Sequence, residues 1–223
     1  MKIQEIIEND FSKNSINYVF NSDCVEIMRQ FPDKFFDLAV VDPPYGINVN
    51  KMTLGNGNRK VFRGGNNWDE SIPEEKYWTE LFRISKNQVV WGANHMIQYL
   101  KPSSSWLFWD KGNGDNDFSD GELAWTSYGG ALRKIKKTWI GANAKDGIER
   151  IHPTQKPVYL YEWIFEKYCQ KGNLIFDSHL GSGSSRIAAE KYNLSFVGCE
   201  IDKTFFESQQ KRFQEHSSQL RLF

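Results

Sequence analysis

The stretch Leu174-Ile175-Phe176-Asp177, running through Ser178-His179-Leu180-Gly181-Ser182-Gly183-Ser184-Ser185 into a helical segment at about 186–192, constrains the fold most. A short apolar run ending in a carboxylate, followed by a glycine loop and a helix, is a strand, turn and helix of an α/β protein. Gly181 and Gly183 let the backbone turn tightly and lie close against a ligand, while the helix amino terminus presents free N–H groups. Ser195-Phe196-Val197-Gly198-Cys199-Glu200 is the next strand and closes on a second carboxylate. Glu200 stands near the spacing of about 20 residues at which an acidic group reaches the ribose hydroxyls of a bound nucleoside.

A second apolar run, Leu38-Ala39-Val40-Val41, leads into Asp42-Pro43-Pro44-Tyr45. A run without alternation is a strand buried on both faces of a parallel sheet, so Asp42 is expected at the carboxyl edge, where open α/β sheets place their ligands. The prolines fix φ and remove two backbone donors, leaving a rigid turn whose carbonyls point outward beside the Asp42 carboxylate. Two acceptors beside an aromatic ring suit a planar, conjugated amine, with Tyr45 stacked on its face.

Together these motifs resemble the S-adenosylmethionine-dependent amino-methyltransferases that modify exocyclic nitrogens of DNA bases. Because Asp-Pro-Pro-Tyr precedes the glycine loop, the order is similar to the permuted β class, common among bacterial and phage adenine-N6 enzymes. His152-Pro153-Thr154-Gln155-Lys156-Pro157 resembles the segment leading into the cofactor pocket of that class, and Ser22-Asp23-Cys24 its adenine-side contact. One departure is Asp177-Ser178-His179, where the family more often has Asp-Pro-Phe. The resemblance implies a single Rossmann-like class I methyltransferase domain over 1–223, a mostly parallel twisted sheet with helices on both faces.

It further implies methyl transfer from S-adenosyl-L-methionine to the N6 amine of a flipped adenine in double-stranded DNA, with Asp42, Pro43, Pro44 and Tyr45 as the catalytic turn. Asp177 is assigned to the methionine amino group, Gly181, Ser182 and Gly183 to close backbone approach, and Glu200 to the ribose. Asp23 and Cys24 fall on the adenine ring, Thr154 and Lys156 near the methionine carboxylate, and His179 on the methionine part or as a loop spacer. Cytosine-N4 enzymes usually carry Ser where Asp42 stands, so Asp42 favours adenine; cytosine-N4 transfer and a noncatalytic nucleic-acid binding protein on the same fold remain alternatives. A homodimer and a restriction endonuclease partner stay open.

Composition agrees. A chain of 223 residues buries one sizeable core. Cys24, Cys169 and Cys199 have no paired spacing, so neither a disulfide framework nor a zinc site is indicated, and no apolar run approaches membrane-spanning length. A cytoplasmic protein is expected. With 28 basic and 28 acidic residues the net charge is zero, so phosphate contacts must come from local clusters such as Lys51, Arg59, Lys60 and Arg63, or Arg133, Lys134, Lys136 and Lys137. The eight Trp are scattered, and most belong in the core. Further helices are expected at 25–31, 73–85 with a Ser71 to Glu74 capping box, 158–170 and 203–216, and strands at 88–91, 105–109 and 137–140. The loops at 48–68 and 110–150 are the expected DNA-recognition elements.

Overall fold

The computed structural model describes residues 2–11, 13, 15–48, 69–112, 119–137 and 150–220. Among these, strands β1 (Asn17–Phe20), β2 (Phe36–Val41), β3 (Ser85–Trp91), β4 (Trp106–Asp110), β5 (Gly121–Thr126), β6 (Arg133–Lys136), β7 (Leu174–Asp177) and β8 (Ser195–Cys199) form one sheet in the order β1-β8-β7-β2-β3-β5-β4-β6. The pairings are parallel except those of β5 with β3 and β4. Helices α1 (Ile3–Ile7), α2 (Cys24–Met28), α3 (Glu75–Ile84), α4 (Val158–Tyr168), α5 (Ser184–Lys191) and α6 (Lys203–Leu220) accompany it. No helix among the described residues is long and apolar enough to cross a membrane.

The unbroken apolar runs have the cause expected of them, since β7 and β8 are buried throughout their length. Successive side chains of β2 alternate between two cores: Ala39 and Val41 pack with Val25, Leu81 and Ile84 on one face, Leu38 and Val40 with Leu160, Ile164 and Ala188 on the other. Helices therefore cover both faces, as an α/β sheet requires. From β2 the chain proceeds to β3 on one side, while from β7 it proceeds to β8 on the other. The strand order thus reverses between β2 and β7, opening a crevice at their carboxyl ends.

Several expected elements shift. The helix expected at 25–31 runs Cys24–Met28, because the Asp23 carboxylate accepts from Val25 N and Glu26 N to start it and Pro32 disfavours helical backbone at Phe31. The capping box at Ser71 to Glu74 does not form: Glu74 is itself the residue preceding α3 and makes no side-chain cap bond. Arg133–Lys136 forms a strand instead of 137–140; Lys137 lies just past it, and 138–140 fall outside the described residues. The sheet edges β1 and the inserted β5 were not anticipated.

Of the two expected recognition loops, 48–68 lies almost wholly outside the described residues, as do Lys51, Arg59, Lys60 and Arg63. Within 110–150, 121–126 and 133–136 are sheet strands and not loop. Arg133, Lys134, Lys136 and Lys137 are exposed along that sheet edge. Trp78, Trp91, Trp109 and Trp125 are core residues.

Candidate active site

Val41 delivers Asp42 to the carboxyl edge of β2, and the following prolines leave Tyr45 and Gly46 as the next backbone donors of the turn. Both donate to Asp69 Oδ1, at 2.8 and 3.0 Å, which pins the turn against the start of the α3 connection. The Tyr45 hydroxyl donates to Asp42 Oδ1 at 2.6 Å, and Lys156 Nζ donates to Asp42 Oδ2 at 2.6 Å and to the Tyr45 oxygen at 3.0 Å. Lys156 also lies 3.0 Å from Glu122 Oε2, whose Oε1 meets Lys111 Nζ at 2.8 Å. Lysines and carboxylates therefore alternate from Lys111 through Glu122 and Lys156 to Asp42.

The Tyr45 ring is held as firmly as its hydroxyl. His95 stacks on it with ring centroids 5.1 Å apart and planes 14° apart. Gly92, at φ +65°, lies against it so closely that a Cβ there would stand 2.0 Å from Tyr45 Cε1. Only glycine fits at that position, on steric grounds as well as backbone ones.

Beside the turn opens a cleft of about 250 Å³ in the β2/β7 crevice. Asp42, Pro44, Thr154 and Lys156 line it on the side of the turn, and Asp23, Cys24 and Glu200 on the far side. His179, Gly181 and Ser182 line it from the glycine loop. Pro43, Tyr45, Asp177 and Gly183 do not reach its wall. Gly181 and Gly183 both take positive φ, 51° and 74°, and Gly183 begins α5. Ile201, two-thirds exposed, and Phe205 provide an apolar wall next to Glu200.

The charges around the cleft follow from burial. Asp177 accepts from His179 N at 3.1 Å and Ser185 Oγ at 2.6 Å, yet burial outweighs these bonds and raises its carboxyl to about 7. Burial also raises Glu200, against hydrogen bonds from Asp202 N and Gly181 N. His152 and His179 are pushed down to about 3 and about 4 by burial, so both imidazoles are neutral near pH 7. At the turn, burial raises Asp42 against the pull of Lys156. Burial works against the charge of Lys156, but Asp42 and Glu122 outweigh it and hold the ammonium above its ordinary value. Burial would raise Glu122 too, but Lys156 and Lys111 overcome it and hold that carboxyl at about 2.

Residues 90–211 match the model of the DNA methylase family N6_N4_Mtase. The chain belongs to this family of DNA methylases. The family match takes in the end of β3, Lys156, the glycine loop and Glu200, and leaves the Asp42 turn to be supported by geometry. The type II methyltransferase M2.MboI of Moraxella bovis is 26% identical over 257 aligned positions, spanning 96% of this chain and 93% of that protein. By fold, this DNA methylase is similar to TTHA0409 of Thermus thermophilus, solved in complex with S-adenosyl-L-methionine, with a TM-score of 0.59, 17% identity and coverage of 90% and 94%. It is equally similar to the cytosine-N4-specific PvuII DNA methyltransferase, with a TM-score of 0.58, 12% identity and coverage of 92% and 93%. The target base is therefore not given by the fold.

Lys156 lines the cleft as well as the turn: its ammonium is paired with Asp42, Tyr45 and Glu122 beside the proposed catalytic turn. Each Asp42 oxygen already takes one strong donor, Oδ1 from the Tyr45 hydroxyl and Oδ2 from Lys156. A carboxylate has about four acceptor sites, so capacity for an incoming amine remains. Sequence reasoning missed Asp69, Gly92, His95, Lys111 and Glu122. Gly92 alone left a signal, as a glycine directly after the apolar run Val89-Val90-Trp91.

Proposed function

We propose that this DNA methylase transfers a methyl group from S-adenosyl-L-methionine to the N6 amine of an adenine flipped out of double-stranded DNA, within a restriction-modification setting. The observation that carries it is the Asp42 carboxylate, braced by Tyr45 and Lys156, at the mouth of a cleft whose far wall ends in Glu200.

The cleft suits the cofactor. Ile201 and Phe205 offer an apolar wall for the adenine, with Asp23 and Cys24 nearby, and Glu200 offers acceptors for the ribose hydroxyls. Asp177, a buried carboxyl raised to about 7, lies just outside the cleft wall; its assignment to the methionine ammonium requires that group to reach past the wall, where its charge would offset the burial cost. Gly181, Ser182 and Gly183 let the backbone approach, and Thr154 and His179 complete the methionine end. When bound, S-adenosyl-L-methionine supplies a methyl group on a positively charged sulfur, ready for displacement.

The protein's own contribution concerns the amine. An adenine amine is a weak nucleophile because its lone pair is delocalised into the ring. Asp42 and the Pro43 carbonyl would accept its two N–H bonds and favour a pyramidal nitrogen as attack proceeds. Lys156 favours the ionised form of Asp42 against its burial and orients it, so the acceptor is set before the base arrives. Tyr45, backed by His95 and Gly92, offers a fixed aromatic ring for the flipped base. Asp as the first residue of the turn supports adenine, since the cytosine-N4 enzymes usually have Ser there.

The test incubates purified protein with tritiated S-adenosyl-L-methionine and unmethylated DNA, followed by digestion to nucleosides and chromatography. Label in N6-methyladenine is expected. Label in N4-methylcytosine would keep the mechanism and change the base, and no label in DNA, with cofactor binding measured separately, would overturn the proposed activity.

A further inference from the structure

Glu122 is the first residue of β5 but one, and its position is a product of topology. β5 runs antiparallel to β3 and β4, so the start of this strand lies level with their carboxyl ends, with Glu122 opposite Trp109 and Ala124 opposite Trp91. The carboxylate thereby reaches the same sheet edge as Asp42 and meets Lys156 Nζ at 3.0 Å. Lys111, just past the end of β4, holds the other oxygen at 2.8 Å. We propose that Glu122 is a positioning residue for methyl transfer: it gives the Lys156 ammonium a second carboxylate partner beside Asp42 and so keeps Asp42 aimed at the incoming amine.

The argument rests on the proposed function and on the arrangement around Lys156. The lysine side chain is 4% exposed and has two carboxylates within 3.0 Å. It also faces the rings of Tyr45 and Trp91, each 5.5 Å from Nζ. His152, Tyr161 and Asp177 are further titratable groups around this cluster, His152 feeling Lys156, Tyr161 feeling Asp42 and Glu122, and Asp177 feeling Asp42. A buried ammonium with one carboxylate partner forms a closed pair, drawing that partner toward itself. With two carboxylate partners, the ammonium is shared, and Asp42, which lines the cleft, keeps acceptor capacity there. Lys111 prevents Glu122 from following Lys156 inward. Glu122 does not line the cleft; its charge also disfavours ionisation of Asp42 and Tyr45, but its ion pair toward the turn is the one with Lys156.

The test compares the unmodified enzyme with Glu122→Gln and Glu122→Asp. In Glu122→Gln, kcat is expected to fall by about tenfold to a hundredfold while KM for S-adenosyl-L-methionine and its calorimetric affinity stay near those of the parent. The alkaline limb of the kcat profile should move toward neutral pH, because Lys156 loses one of the carboxylates that hold its proton. Glu122→Asp, which keeps the charge, should recover part of kcat. The second readout needs no turnover: in protein labelled with 15N-lysine, the ammonium resonance of Lys156, identified by its loss in Lys156→Met, should persist to higher pH in the parent than in Glu122→Gln. An unchanged kcat in Glu122→Gln beside an active parent would overturn the proposal, and so would a lower kcat with an unmoved alkaline limb and an unmoved Lys156 titration. Should Glu122→Gln fail to fold, the same comparisons are made with Glu122→Ala, which also removes the charge, and a Lys156 titration and kcat identical to the parent's overturn it. Absence of methyl transfer by the parent would count against the proposed function instead, leaving the ammonium titration to decide on Glu122.

Discussion

Replacing Gly92 by alanine isolates the Tyr45 ring from every other part of the site. Gly92 adopts φ +65°, a conformation that costs an L-residue about 1 kcal/mol or more, and the new Cβ would lie 2.0 Å from the ring, far inside contact distance. The ring must therefore leave its place. Its displacement breaks the 2.6 Å bond from the Tyr45 hydroxyl to Asp42, worth about 1.5 kcal/mol or more for a charged acceptor, and the stack on His95, worth about 0.5 kcal/mol or more. Taking the low ends, since Lys156 still bonds Asp42, Gly92→Ala should cost about 3 kcal/mol, or roughly 6–12 °C in Tm for a chain of this size. Neither Gly92 nor Tyr45 lines the cleft, so cofactor affinity should survive while methyl transfer falls steeply. Chemical denaturation, calorimetry with S-adenosyl-L-methionine and the tritium assay measure the three effects. Parental stability together with parental kcat would refute the reasoning.

Other expectations follow from the same geometry. Asp42→Ala should abolish methyl transfer with cofactor affinity nearly intact; an active variant in the tritium assay would remove Asp42 from the mechanism. Asp69→Ala leaves Tyr45 N and Gly46 N without their shared acceptor, and should lower stability by about 2 kcal/mol in urea titrations along with kcat. Affinity for S-adenosyl-L-methionine should rise with pH through about 7, as Asp177 ionises to meet the ammonium, and Asp177→Asn should bind weakly with that pH dependence gone, which calorimetry across pH would show. The same carboxyl is protonated when folded but ionised when unfolded at pH values between the ordinary 3.8 and about 7. Its contribution to stability is therefore fully present below that window and is lost as pH rises through about 7, a trend that Asp177→Asn should flatten in pH-dependent unfolding.

The strands at the centre of this fold were legible because burial on both faces leaves an uninterrupted apolar run. Leu38 to Val41, Leu174 to Phe176 and Ser195 to Cys199 all become central parallel strands, and the carboxylates after them fall at one edge. The glycine loop was legible for a similar local reason: Gly181 and Gly183 mark the positive-φ turn from β7 into α5. The edge strand β1 and the exposed β6 carried weaker patterns, and the capping signal at Ser71 to Glu74 was a coincidence of spacing that the backbone did not use.

Local chemistry along the chain thus determined that an acidic, proline-stiffened turn and a glycine loop would terminate buried parallel strands. It determined nothing about which groups would surround the Asp42 turn, because these come from β5, from the segment before α4 and from the connection before α3. Lys156 approaches from a hundred and more positions away and Glu122 arrives by an antiparallel insertion, so no spacing rule links them. Only the tertiary structure decided that Lys156 would brace the catalytic carboxylate, since the position of a buried charge is set by whichever opposite charges the fold brings within reach.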